Sequence, residues 1–98
     1  MAEPRVVDAP ERERYELIVD GDVAGFVTYR RRQDAITFLH TQIEEDYEGR
    51  GLGSILAAGV LDDARAMGLR VKPVCPFLQS YIEEHQEYAD LIAPDFDR

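Results

Sequence analysis

Apolar and polar positions along the chain change period twice. "RYELIVDGDVAGFVTYR" alternates through Tyr15, Leu17 and Val19, breaks at Asp20 and Gly21, and resumes with Phe26, Val27 and Tyr29. An Asp-Gly pair between two such runs predicts a β-hairpin. "DAITFLHTQI" is β-branched and aromatic and predicts a third strand, entered through a turn at Arg30, Arg31 and Arg32. The period then lengthens: Leu56, Val60, Ala64 and Met67 recur at helical spacing, with Asp62, Asp63 and Arg65 on the other side. Gly68 suits the helix C-terminus. "LRVKPV" predicts a fourth strand, and "PFLQSYIEEHQEYADLI" a last helix opened by proline, with Phe77, Tyr81 and either Ile82 or His85 on one face and a break near Glu87.

The predicted order is therefore three strands in an antiparallel meander, then helix, strand and helix, an α+β (α/β) fold. Residues 1–12, charged and carrying Pro4 and Pro10, read as a flexible lead-in, and residues 13–98 as a single domain. Ninety-eight residues with 45% apolar content are enough for one core. There is no run of about eighteen apolar residues and no apolar leader, so the expectation is a soluble, cytoplasmic chain away from the membrane. Twenty acids against eleven Lys and Arg give a net charge of −9, which repels a nucleic-acid backbone. The same charge would steer a cationic partner such as a lysine side chain or a polyamine. Cys75, His40 and His85 are not spaced as metal ligands, and no metal is expected.

"YEGRGLGSIL" removes the side chain from every second residue directly before the first helix. Neither G-x-G-x-x-G nor the P-loop pattern fits, because no third glycine or lysine falls in frame. What remains is a glycine-rich turn leading to a helix N-terminus. Such a turn exposes unpaired N–H groups that attract phosphate, and glycines would let an anion reach them. Alternatively, the glycines serve backbone geometry or close packing alone.

The stretch "EGRGLGS" resembles the acyl-CoA pyrophosphate loop of the GNAT superfamily of N-acetyltransferases, Q/R-x-x-G-x-G/A, with Gly51 and Gly53 at its glycines. Together with "LDDARAMGLRVKPVCPFLQSYIEEHQEYADLI", it is similar to the small YjdJ-type branch of minimal acetyltransferase-like proteins, which lacks the first helices of larger members. The resemblance implies a minimal GNAT-like fold. It also implies acetyl-CoA as donor, held at Gly49, Arg50, Gly51, Leu52, Gly53 and Ser54, and an amine as acceptor. Glu48 stands where the pattern has Gln or Arg and places a negative charge near the expected pyrophosphate.

Three residues are candidates for the chemistry. Cys75, held extended before Pro76, would cap the last helix, whose dipole favours a thiolate able to carry the acetyl group. His40, near the end of the third strand, could act as general base. Tyr81 corresponds by position to the tyrosine with which many larger acetyltransferases protonate the departing CoA thiolate. Two routes stay open: direct attack by the amine, and transfer through a Cys75 thioester. A non-catalytic acyl-CoA-binding module and a protein-interaction module are the alternative functions.

Overall fold

The computed structural model describes residues 3–96, and within them five strands form one sheet in chain order. Strands β1 (Arg5–Ala9), β2 (Arg14–Val19), β3 (Asp22–Arg32) and β4 (Ala35–Ile43) are antiparallel to their neighbours. Helix α1 (Leu52–Ala66) then crosses back to β5 (Arg70–Pro73), which pairs with β4 in parallel, and α2 (Pro76–Glu84) follows. Short 3-10 turns occupy Pro10–Arg12, Glu45–Tyr47 and Gln86–Leu91.

The β2–β3 turn forms where the Asp-Gly pair predicts it. Asp20 (φ 50°) and Gly21 (φ 85°) both take the left-handed conformation that matches the strand twist in a two-residue hairpin. The α+β order of meander, helix, strand and helix is also observed. Four local expectations differ. Residues 5–9 are an edge strand paired along its whole length with β2, from Arg5 opposite Ile18 to Ala9 opposite Arg14, rather than a flexible lead-in. Val6 packs on Gly59 of α1, and Asp8 accepts a 2.5 Å hydrogen bond from the Tyr29 hydroxyl. Pro4 and Pro10 flank this strand, where a missing N–H costs no ladder bond. The expected boundary at residue 13 falls inside the sheet; Met1 and Ala2 lie outside the described residues.

Arg30, Arg31 and Arg32 are the end of β3, opposite Thr37, Ile36 and Ala35, and the turn lies at Gln33 and Asp34. Met67 is exposed beyond the end of α1, which buries Leu52, Leu56, Ala57, Val60, Leu61 and Ala64 instead. Helix α2 buries Leu78 and Ile82, leaves Phe77 exposed, and ends at Glu84 with His85 as its C-cap, before the expected break.

Both helices pack on one face of the sheet, over Tyr15, Leu17, Val27, Tyr29, Ile36 and Phe38. Because successive strand side chains alternate, Arg14, Glu16, Phe26, Thr28 and His40 lie on the other face. The Arg14 guanidinium sits 4.6 Å over the Phe26 ring there, and the Phe26 and His40 rings are 6.4 Å apart. No helix covers this second face among the described residues.

Candidate functional site

Strands β4 and β5 pair only from Ala35–Arg70 to Phe38–Pro73. A bulge in the β3–β4 ladder then brings Tyr29 opposite Phe38 and Thr28 opposite His40, so that Leu39 is the extra residue. From this point β4 runs on to Ile43 along β3, whereas β5 turns away through Val74 into α2. A last bond, from the Cys75 N–H to the Phe38 carbonyl at 3.0 Å, marks the apex of the gap. Beyond it the edge of β4 that faces the gap has no strand partner among the described residues. Leu39, Val74 and Phe77 are exposed apolar side chains around this opening.

The glycine turn lies between β4 and α1. Gly49 (φ 81°) and Gly51 (φ 73°) are left-handed, and a Cβ on either would meet nothing within 4 Å. Backbone conformation, not crowding by the protein, excludes side chains there. Gly51 is the N-cap of α1, no side chain caps it, and no acid lies in the first turn. The amides of Leu52, Gly53 and Ser54 are thus the unpaired donors of the helix, facing open space. Gly53 has another role: a Cβ would lie 2.9 Å from Phe77 Cζ, so this glycine lets α2 close on α1. Arg50 rests 5.3 Å over the Tyr47 ring, beside exposed Glu45, Asp46 and Glu48.

Cys75 caps α2 in extended conformation (φ −64°, ψ 122°), as Pro76 requires, and its side chain is buried. Its Sγ lies 3.1 Å from the Thr41 Oγ1. Thr41 follows His40 on β4, so the alternation that turns Thr41 toward the thiol turns His40 to the opposite face. The sheet separates the two residues. Tyr81 is half-buried on α2, stacked on His85 at 3.9 Å between ring centres, with Tyr88 at 6.1 Å. The His85 Nδ1 is 2.9 Å from the Tyr81 carbonyl oxygen, which anchors His85 at the end of its own helix. Burial, then Glu87 and Asp62, raise the Tyr81 phenol above its ordinary value, so it is protonated at neutral pH. No hydrogen bond to its hydroxyl exists among the described residues.

The sequence pattern does not point to Thr41 or to the bulge at Leu39, and it assigns Phe77 only to the packing face of the last helix. Leu39 carried a signal, as an apolar residue on the outward phase of "TFLHTQ". Thr41 and Phe77 reach the site through contacts between β4, α1 and α2, which no local pattern encodes.

Two parallel strands that separate half-way, with the N-termini of both following helices at the opening, define an N-acetyltransferase fold. The chain belongs to the GCN5-related N-acetyltransferase family, whose model matches residues 14–91. Members of this family normally use acetyl-CoA. The solution structure of a GCN5-like protein from Staphylococcus aureus superimposes with a TM-score of 0.70 at 21% identity, covering 95% of this chain and 91% of that one. An acetyltransferase of the GNAT family from Streptococcus pneumoniae gives 0.52 at 23% identity, covering 79% of this chain and 52% of its own length. The chain thus spans about half of that larger protein. No curated protein sequence matches. No helix among the described residues is long and apolar enough to cross a membrane.

Proposed function

We propose that the protein is a minimal N-acetyltransferase of the small YjdJ-type branch that moves the acetyl group of acetyl-CoA directly to an amine. The observation that carries this reading is the uncapped N-terminus of α1, with Gly49 and Gly51 in open space, placed beside the gap between β4 and β5. The amides of Leu52 to Ser54 fit a pyrophosphate by donor number and dipole. Arg50 offsets Glu48 at the rim. The apolar side chains of Leu39, Val74 and Phe77 fit the pantetheine arm, and the free edge of β4 offers backbone groups to it.

The arrangement favours direct attack. His40 follows the bulge on the uncovered face, so an amine entering from that side would meet a base, and Tyr81, on the helix that begins at the gap, would serve as the acid for the departing sulfur. His40 accepts the amine proton as the C–N bond forms. Tyr81 donates a proton to the sulfur as the C–S bond breaks. A route through Cys75 needs a base beside the thiol, and the polar partner there is Thr41. The amides of Val74 and Cys75 bond to the Lys72 and Phe38 carbonyls, which leaves the free edge of β4 to hold the thioester oxygen.

Calorimetric titration with acetyl-CoA, with free CoA and adenosine monophosphate as controls, tests the first half. Saturable binding of about millimolar affinity or tighter is expected. Absence of binding would reduce the glycine turn to a packing device and end this reading. Acetyl transfer to an amine panel tests the second half, and a protein that binds acetyl-CoA but acetylates none would be a non-catalytic binding module.

A further inference from the structure

The uncovered face of the sheet carries a second, differently charged site. Arg30 of β3, Thr37 of β4 and Lys72 of β5 stand side by side in register across three strands, and Arg32 follows opposite Ala35. These residues, with Gln33, Asp34 and Leu39, line a pocket of about 440 Å³. It runs from the β3–β4 turn to Leu39, the residue at which the sheet splits.

The cations in this pocket are not consumed by the fold. Arg12 and Arg14 share Glu16, Arg31 pairs with Asp8, and Arg65 pairs with Asp90. The side chains of Arg30 and Arg32, by contrast, have no ion pair or hydrogen bond among the described residues. They lie two apart on one strand, hence on one face about 7 Å apart, and repel each other. Among the described residues Lys72 reaches only Asp95, at 3.6 Å, and that carboxylate is 76% exposed. Asp34 at the turn is the one acid in the lining.

We propose that this pocket holds an anionic group of the acceptor, so that the substrate is an amine carrying a phosphate or a carboxylate. The proposal rests on the acetyltransferase reading above. The donor's binding elements, the N-termini of α1 and α2, lie on the helix face, and the second reactant therefore approaches the gap from the uncovered face. From Thr37, between Arg30 and Lys72, to Leu39 is two residues of strand, about 7 Å. The acceptor's amine and anion stand about that far apart. A polyamine, which the overall charge of −9 suggests, would meet the arginines instead.

The test uses the whole protein, labelled with nitrogen-15 and titrated separately with acetyl-CoA, glucosamine, glucosamine 6-phosphate and 5-aminovalerate. The expected result is that glucosamine 6-phosphate, 5-aminovalerate or both shift the amides of Thr37, Leu39 and Lys72 saturably, at least about tenfold more tightly than glucosamine. Which of the two binds identifies the anion as phosphate or carboxylate. The double variant R30Q/R32Q, with unchanged shifts in α1 and α2, loses that tenfold preference. Acetyl-CoA reports separately, at Gly49 to Ser54. If it binds there while neither anionic amine is preferred over glucosamine, or while they shift only Gly49 to Ser54, the proposal is overturned and the acetyltransferase reading stands. If acetyl-CoA does not bind but an anionic amine shifts Thr37 and Lys72, the pocket is an anion site and its assignment to an acceptor is overturned together with that reading.

Discussion

Gly51 offers a way to separate what the fold needs from what a ligand needs. Its φ of 73° costs an L-residue about 1–2 kcal/mol, and no atom stands within 4 Å of an added Cβ, so the whole penalty of Gly51→Ala is conformational. At about 4–8 °C per kcal/mol for a domain of this size, the melting temperature falls by about 4–16 °C. Asparagine tolerates the left-handed region, so Gly51→Asn recovers most of that loss. Its side chain nevertheless occupies space that is open at Gly51, the N-cap of α1. Thermal denaturation by circular dichroism and calorimetric titration with acetyl-CoA give the two readouts. The expected outcome is that the asparagine variant is close to wild type in stability yet binds acetyl-CoA at least about tenfold more weakly, a loss of about 1.4 kcal/mol. Wild-type affinity in a stable Gly51→Asn protein would refute the view that the glycine clears room for the pyrophosphate.

Direct attack predicts that Tyr81→Phe and His40→Ala each slow acetyl transfer by at least about 100-fold, whereas Cys75→Ala leaves it within about threefold; the reverse order in steady-state rates would restore the thioester route. Glu16 is buried, and its carboxyl is held below the usual range first by the Arg14 hydrogen bond and then by Arg12, against the opposing effect of burial. A lowered folded value contributes stability that is complete above the unfolded value of about 4.3 and is lost as pH falls through the folded one. Glu16→Gln should therefore cost about 1–2 kcal/mol at pH 7 and nothing at the acid end, measured by urea denaturation across pH. Tyr29→Phe removes the hydroxyl that bonds Asp8 and should cost about 1 kcal/mol while raising amide hydrogen exchange in β1. Unchanged exchange at Val6 and Val7 would mean that β1 is held by its ladder alone.

The parts legible in the sequence were those fixed by short-range rules. Asp20-Gly21 specified a hairpin because both residues accept positive φ, and Pro76 placed Cys75 at a helix cap because a residue before proline stays extended. Residues 5–9 were not legible as a strand. Their two valines lie among charges and between prolines, and they are held by pairing with β2 and by Val6 meeting the bare Gly59, a contact about fifty residues away in the chain. The role of Gly53 was hidden for the same reason. Spacing grouped it with Gly49 and Gly51, but its neighbour is Phe77 on another helix. His40 and Cys75 both read as candidates for one mechanism, and only the sheet register shows that they serve opposite faces.

Net charge was the most misleading sequence property, because it averages over faces that do not screen alike. The molecule measures 40 × 29 × 20 Å, while the Debye length at physiological ionic strength is about 8 Å. A ligand in contact with Arg30 and Lys72 therefore feels those cations and little of the acids of α1 and α2 beyond the sheet. At 0.01 M salt, with a Debye length of about 30 Å, the same ligand feels the whole charge of −9. Raising salt from 0.01 to 0.15 M thus removes a long-range repulsion while leaving much of the short-range attraction. Affinity for an anionic amine, followed at the Thr37 and Lys72 amides, should hold steady or rise over that range. A steep fall would show that the arginines act at long range, as an extended basic field, and that the two faces are not electrostatically separate.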